Sequence, residues 1–307
     1  VVYAAYLTIC FIFGTTFLAI KIGVDEGFPP FLSAGIRFFV AGLILFLWMA
    51  WRKKASFSLL LKKEMMITGM CLTFGTFATI YWAEQYISSG IAAVLCATAP
   101  LMIVIIQTTV LKQKSSRLGF IGCVVGLLGV VLLTLPSLKG EMHVNWLIGC
   151  IVVLLGQVFY ASGSVYMKHI SHRMGDASPV TLNAAQMILG GLMLIGLSLV
   201  TEPVSFEAFS SVPAVSSVLY LIVVGSMIGH SLYYWLVIKT GPVFPSTWLY
   251  VAPFIALTLG VLLYNEFFSW TTVLGGLTIV AGVLMVNANH LLRLLRKSPV
   301  SKTTSYQ

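Results

Sequence analysis

The sequence predicts an all-α integral membrane protein of ten transmembrane helices, built as two inverted five-helix repeats. Three observations predict it. The chain is 59% hydrophobic and only 9% charged; apolar runs of about 20 residues recur between short polar breaks; and the second half repeats the first at a nearly constant offset. A mean hydropathy of +0.99 lies far above the soluble range. Crossing about 30 Å of hydrocarbon takes roughly 20 apolar residues as a helix, which is the length the runs supply.

Taken in order, the runs place helices at approximately 3–22, 31–51, 65–83, 89–111, 118–136, 146–167, 179–201, 214–238, 244–264 and 271–292. The first, "VVYAAYLTICFIFGTTFLAI", lacks a charged leader and a small-residue cleavage site, so it reads as a spanning helix and not a signal peptide. Basic residues fix the direction. Arg52, Lys53, Lys54, Lys62 and Lys63 follow helix 2, and Lys112, Lys114 and Arg117 follow helix 4. Lys168 and Arg173 follow helix 6, Lys239 follows helix 8, and Arg293, Arg296, Lys297 and Lys302 end the chain. Of the 18 Lys and Arg only Lys21, Arg37 and Lys139 fall on the other side, so the positive-inside rule puts both termini in the cytoplasm.

The net charge of +9 sits in short loops between apolar runs, not on a soluble basic face, which argues against nucleic-acid binding. Cys10, Cys71, Cys96, Cys123 and Cys150 stand singly inside apolar runs, never as CxxC or beside histidine. They read as packing residues, with no metal site or disulfide framework indicated.

The repeat is gapless over a long register. At an offset of 153, Tyr81 and Trp82 match Tyr234 and Trp235, Ala99 and Pro100 match Ala252 and Pro253, Gly122 matches Gly275 and Gly129 matches Gly282. Earlier in each half Lys21 matches Lys168 and Pro30 matches Pro179 at slightly smaller offsets, as a changed loop length requires. Five helices per copy is an odd number, so the second copy enters the membrane from the opposite side. Such inverted repeats are the framework of alternating access, with substrate held near the midplane. The boundaries are a first repeat at 1–136, a linker at 137–145, a second repeat at 146–292 and a basic tail at 293–307.

Three stretches, "AEQYISSGIAAVLCATAPL", "GIRFFVAGLIL" and "GGLTIVAGVLM", resemble the EamA-type transporters of the drug/metabolite transporter superfamily, and the resemblance runs over about residues 5–290. It implies a ten-helix, exporter-like carrier of small metabolites whose central cavity is walled by both halves. The glutamate such proteins often carry after the fourth helix of each repeat is present as Glu266 but replaced by Gln113 in the first half, so a cap or interfacial contact is expected there rather than a symmetric role.

Polar groups at membrane depth point to the pathway, because an ionised side chain at the bilayer centre costs on the order of 2.5–3.5 kcal/mol on insertion scales. Ser226, His230, Tyr233 and Tyr234 recur at helical spacing and form a candidate cavity face with Trp235; the alternative for His230 is a neutral imidazole bonded to a neighbouring carbonyl. Tyr81 and Trp82 are their repeat mates, expected either on the cavity or as interfacial anchors. Gln157, Tyr160, Trp248 and Tyr250 are further substrate-binding candidates, and Pro100 and Pro253 are expected to kink helices 4 and 9, either as paired hinges or as breaks that contribute to the cavity. Lys21, Arg37 and Glu84 are assigned to an outer vestibule. Lys21 and Asp25 have ion-pair spacing, and Glu84 is expected within reach of water above the "ISSG" turn. GxxxG spacing at Gly122 and Gly126 and at Gly225 and Gly229 marks close helix contacts.

An intramembrane enzyme would need paired acids, HExxH or a serine–histidine constellation, and an ATP-driven pump would need GxxxxGK[ST]; none occurs in the sequence. Rings of like charge for a channel are likewise missing. The expectation is a non-enzymatic secondary carrier in the cytoplasmic membrane, without cofactor, its energy coming from a gradient, a proton gradient being one candidate, or from the substrate itself. It is expected to export amino acids or other small metabolites, or alternatively toxic amphipathic compounds, as a monomer or homodimer.

Overall fold

The structure, a computed structural model, describes residues 1–87, 92, 95–113, 116–134, 144–171, 173–174, 177–203, 207–252, 255 and 270–296, and these are all helix, turn or loop. Six helices are long and apolar enough to cross a membrane: α1 (Val2–Asp25), α2 (Pro30–Trp51), α3 (Lys63–Ala83), α6 (Val144–Ser171), α7 (Pro179–Thr201) and α8 (Val212–Thr240). Shorter ones are α4 (Ala99–Thr109), α5 (Arg117–Thr134) and α9 (Val243–Ser246), and α10 (Trp270–Arg296) closes the described chain.

Local chemistry sets the helix ends. Pro30, Pro179 and Pro213 stand in first turns, where a missing N–H costs nothing and the fixed φ favours helix. Ser178 and Ser211 cap α7 and α8 by accepting from Thr181 N and Ala214 N. The start of α2 is capped across the fold: the Glu202 carboxylate at the end of α7 accepts from Phe31 N at 2.7 Å and Leu32 N at 3.0 Å. Gly241 ends α8 at φ 92°, a conformation favouring glycine.

Two spans carry wide turns. Gly69–Gly75 inside α3 and Leu221–His230 inside α8 bond i to i+5, a form that recurs at functional sites. Pro100 does not bend a continuous helix: it lies in the first turn of α4, immediately after turn residues Ala97 and Thr98, where proline is tolerated, so of the two expectations the structure has the interrupted helix. Pro253, Glu266 and Ser88 to Gly90 lie outside the described residues.

The helices pack through backbone contact at small residues, the means available in lipid, where oily side chains gain nothing by leaving their surroundings. Helix α2 lies on α7 and α5 on α10. A Cβ on Gly122 would meet Gly282 O at 2.8 Å and one on Gly129 would meet Gly275 O at 2.9 Å; the 153-residue offset carries each of these contacts onto the other. Between α2 and α7, Gly42 meets Ala184 O at 2.9 Å and Gly35 meets Gly191 O at 3.2 Å in the same crossed fashion.

Candidate substrate cavity

The middle of the bundle holds a cavity of about 40 Å³ walled by α1, α2, α3, α6, α8 and the segments beside α4 and α9. Phe13, Thr16, Phe17 and Ile20 bring one face of α1 to it, at the i, i+3, i+4, i+7 spacing of a helical stripe. Thr76, Phe77 and Ile80 come from α3 just past its wide turns, and α8 brings His230, the last residue of its own wide turns, and Tyr233 just past them. The volume suits a few waters, so a metabolite requires the helices to part.

Arg37 enters this cavity from α2. It is 1% exposed, donates from Nε to Ser226 Oγ at 2.9 Å and from Nη1 to the Tyr81 hydroxyl at 3.3 Å, and lies over the Phe38 and Phe77 rings at 4.6 and 5.2 Å. Among the described residues no carboxylate pairs with it; the ion pair they contain is Lys21–Asp25, at 2.8 Å. A buried guanidinium held only by hydroxyls and ring faces keeps donor capacity for an anionic group. The sequence reading put Arg37 in the outer vestibule. It sits about 10 Å along α2 from Pro30, too deep for the helix mouth, and α8 offers Ser226 to its side chain.

Polar groups around the cavity are otherwise paired. Gln157 Nε2 donates to Cys96 Sγ at 3.2 Å, Trp248 Nε1 donates to the Tyr160 hydroxyl at 3.3 Å, and the Tyr233 and Ser164 hydroxyls lie 2.9 Å apart. His230 is clasped by rings instead: Phe13, Phe38 and Phe77 lie at 5.1, 5.4 and 5.6 Å, and no described group hydrogen-bonds its imidazole.

Thus His230, Gln157, Tyr160 and Trp248 come together on the cavity, and Ser226 and Tyr81 join them through Arg37. Four candidates do not. Tyr234 is fully buried beside the cavity without lining it, and its hydroxyl has no partner; eight residues past Ser226 it is turned about 80° away on a regular helix, at the edge of the stripe. Trp235 packs half-buried on the core. Tyr250 faces α5, where its ring fills the space above Gly126 and its hydroxyl donates to Cys123 O at 3.0 Å. Trp82 points into a second hollow.

That hollow, about 680 Å³, opens at the α1–α2 turn and is lined by Lys21, Asp25, Trp82, Gln85 and Glu202. Neighbouring residues of two helices line the two spaces: on α1 Ile20 lines the cavity and Lys21 the hollow, and on α3 Ile80 lines the cavity and Trp82, two residues on, the hollow. Glu84 lies at this junction, 0% exposed, contrary to the expectation of water contact: the end of α3 turns inward against α6, where Gly149 approaches Ala83 and Ile87. At the opposite end the helices close together. Lys168 donates to Ile238 O, the Tyr6 and Thr247 hydroxyls bond at 2.8 Å, and Tyr6 stacks on Phe244 at 4.7 Å.

Comparison with known proteins places the chain in a family. A sequence profile described as the EamA-like transporter family matches residues 2–135 and again 147–288. The chain is 30% identical over 297 residues to the "Uncharacterized inner membrane transporter YedA" of Escherichia coli K12, covering 94% of this chain and 92% of that one. It is 26% identical over 283 residues to the "Uncharacterized transporter YoaV" of Bacillus subtilis 168, covering 91% and 94%. One solved crystal structure superposes with a TM-score of 0.77 at 19% identity, covering 97% of this chain and 99% of that one, a likeness of fold. With two profile matches that together span nearly the whole chain, this protein belongs to the EamA-like transporter family.

Proposed function

We propose that the chain is a secondary carrier that exports amino acids or other small carboxylate-bearing metabolites across the cytoplasmic membrane by alternating access. The observation that carries this reading is Arg37: a guanidinium inside the bundle, without a carboxylate partner among the described residues, facing a cavity walled by aromatic rings. A carboxylate would take up its free donors while the rings pack the apolar part of the solute. A toxic cation would meet the same rings but be repelled by Arg37, so efflux of lipophilic cations is the less favoured alternative.

The ten-helix inverted repeat is part of the proposal, with both termini cytoplasmic. The crossed glycine contacts support it, because an axis that exchanges Gly122 with Gly275 and Gly129 with Gly282 maps the α5–α10 seam onto itself. So does the difference between the two ends. Lys168 bonds α8 at the closed end, whereas its repeat mate Lys21 pairs with Asp25 on the wall of the open hollow. Exchanging the two arrangements would close one end and open the other. A proton gradient is the proposed energy source.

The test is uptake of labelled amino acids and cationic dyes into sealed proteoliposomes, with and without an imposed pH gradient, for the native protein and Arg37→Gln. Saturable movement of a carboxylate-bearing solute that the variant loses supports the reading. Equal movement by the variant removes Arg37 from the path, and no saturable movement of any compound argues against a carrier.

A further inference from the structure

The two carboxylate oxygens of Glu84 have no hydrogen-bond partner and are fully buried; with the Tyr234 hydroxyl they are the buried side-chain polar atoms left unpaired among the described residues. A structural carboxylate in such a place is normally anchored, as Glu202 is by two backbone N–H groups. Glu84 instead ends α3 at the wall between the open hollow and the central cavity. Trp82 and Gln85 on either side of it line the hollow, Ile80 one turn earlier lines the cavity, and Tyr81 bonds Arg37.

The surroundings define what it can bind. Helix α1 brings the cation Lys21 and the anion Asp25, which are already paired to each other. The segment before α4 brings the Cys96 thiol, and α3 itself brings Tyr81. Arg37 on α2 bonds Tyr81 and Ser226 and is not among the charged groups that act on Glu84. Helix α6 carries Gly149 and Cys150 near this point and no charged residue before Lys168. No described group therefore neutralises a Glu84 carboxylate in place, and a bare carboxylate there is far less stable than the acid.

We propose that Glu84 is a proton-binding site in the wall between vestibule and cavity, holding its proton in this closed-wall conformation and releasing it to the vestibule when the helices part. The released proton goes to vestibule water, and the carboxylate left behind comes within reach of Lys21 as the wall opens. Burial pushes the Glu84 carboxyl up to about 8, against the pull of Lys21 and with the push of Asp25, so the proton is exchangeable near neutral pH. This proposal rests on the carrier reading and puts the coupling group at the end of α3.

The test needs no substrate. Infrared spectra of the reconstituted full chain, titrated between about pH 6 and pH 10, follow the C=O stretch of a protonated carboxylic acid. The native protein is expected to lose such a band with a midpoint near 8, and Glu84→Gln to lack it, while Glu64→Gln keeps it. Lys21→Gln, which retains the carboxyl but removes the cation, is expected to raise the midpoint, and this second readout stands even if Glu84→Gln fails to fold. A band unchanged in Glu84→Gln, no titrating band in the native protein, or a midpoint in Lys21→Gln that stays or falls would overturn the site. Failure of the liposome panel to show transport would end the carrier reading without touching these spectra, so the two outcomes are separable.

Discussion

Arg37 donates to Ser226 across 2.9 Å, tying α2 to α8 at the level where α8 bonds i to i+5. The contact joins the two halves of the chain through the one side chain of the cavity whose charge no described carboxylate answers. Removing it affects function and stability in opposite senses. Arg37→Met is expected to abolish saturable transport, since charge-assisted hydrogen bonds of about 1.5–3 kcal/mol correspond to roughly 10- to 100-fold in affinity. The same variant is expected to unfold at a higher temperature, because a buried unpaired charge is exchanged for an apolar chain of similar length. A thermal melt in detergent beside the liposome assay checks both; a melt lowered by several degrees would show that Arg37 is there for the fold.

The α5–α10 seam should reject any added bulk. A Cβ on Gly122 meets Val286 N at 2.7 Å and Gly282 O at 2.8 Å, whereas one on Gly196 meets nothing within 4 Å. Gly122→Val is therefore expected to destabilise by about 1–3 kcal/mol, and Gly196→Ala to leave the melting temperature unchanged or slightly raised. Equal melts for the two would mean that the seam is not close-packed.

Glu202 at the end of α7 caps the first turn of α2 through two backbone N–H groups. Glu202→Ala leaves both donors and the positive helix end unanswered, for an expected loss of about 1–2 kcal/mol. Hydrogen exchange localises the effect, with faster exchange expected at Phe31 and Leu32 and none transmitted to the start of α7, which has its own Ser178 cap.

Lys168 to Ile238 is the contact that changes partner in the proposed alternation. Lys168→Met is expected to shift the population toward the state open at that end. Cys96, which lines the cavity and bonds Gln157, is the reporter. In a variant retaining Cys96 alone, a membrane-impermeant maleimide is expected to label it several-fold faster from the closed face after the substitution. Unchanged rates from both faces would leave the lysine a static contact.

Glu84 also makes stability depend on pH. Its folded value near 8 stands above the ordinary 4.5, so the native state holds a proton that the unfolded chain releases between those limits. Stability attributable to this group is full below about pH 4.5 and declines as pH rises to about 8, beyond which it is flat. Glu84→Gln keeps a neutral group and lacks that decline, so its melting temperature relative to the native protein is expected to rise steadily from pH 5 to pH 8. A constant difference across that range would place a solvated carboxylate at this position.

What the sequence determined by itself was whatever depends on composition and periodicity. Runs long enough to span hydrocarbon located α1, α2, α3, α6, α7 and α8 to within a few residues at most ends, because in lipid every backbone polar group has to be satisfied within its own helix. The glycine pattern that marked Gly122, Gly126 and Gly129 corresponds to backbone approach because small residues in a lipid helix have little other use. Spacing also grouped Ser226 with His230 on one face of α8. Tertiary structure alone decided which deep polar groups meet. Arg37 and Glu84 were both legible as charges near helix ends, yet one reaches a cavity and the other is sealed into a wall, since depth and orientation follow from how α2 leans on α7 and α3 on α6. Tyr234 and Tyr250 carry the same chemistry as Tyr233 and Tyr160 but turn elsewhere, because a helix face acquires meaning only from the helix opposite it. The wide turns in α3 and α8 rotate the following residues by an amount no regular period describes, and Phe77 and Tyr233 reach the cavity beyond them.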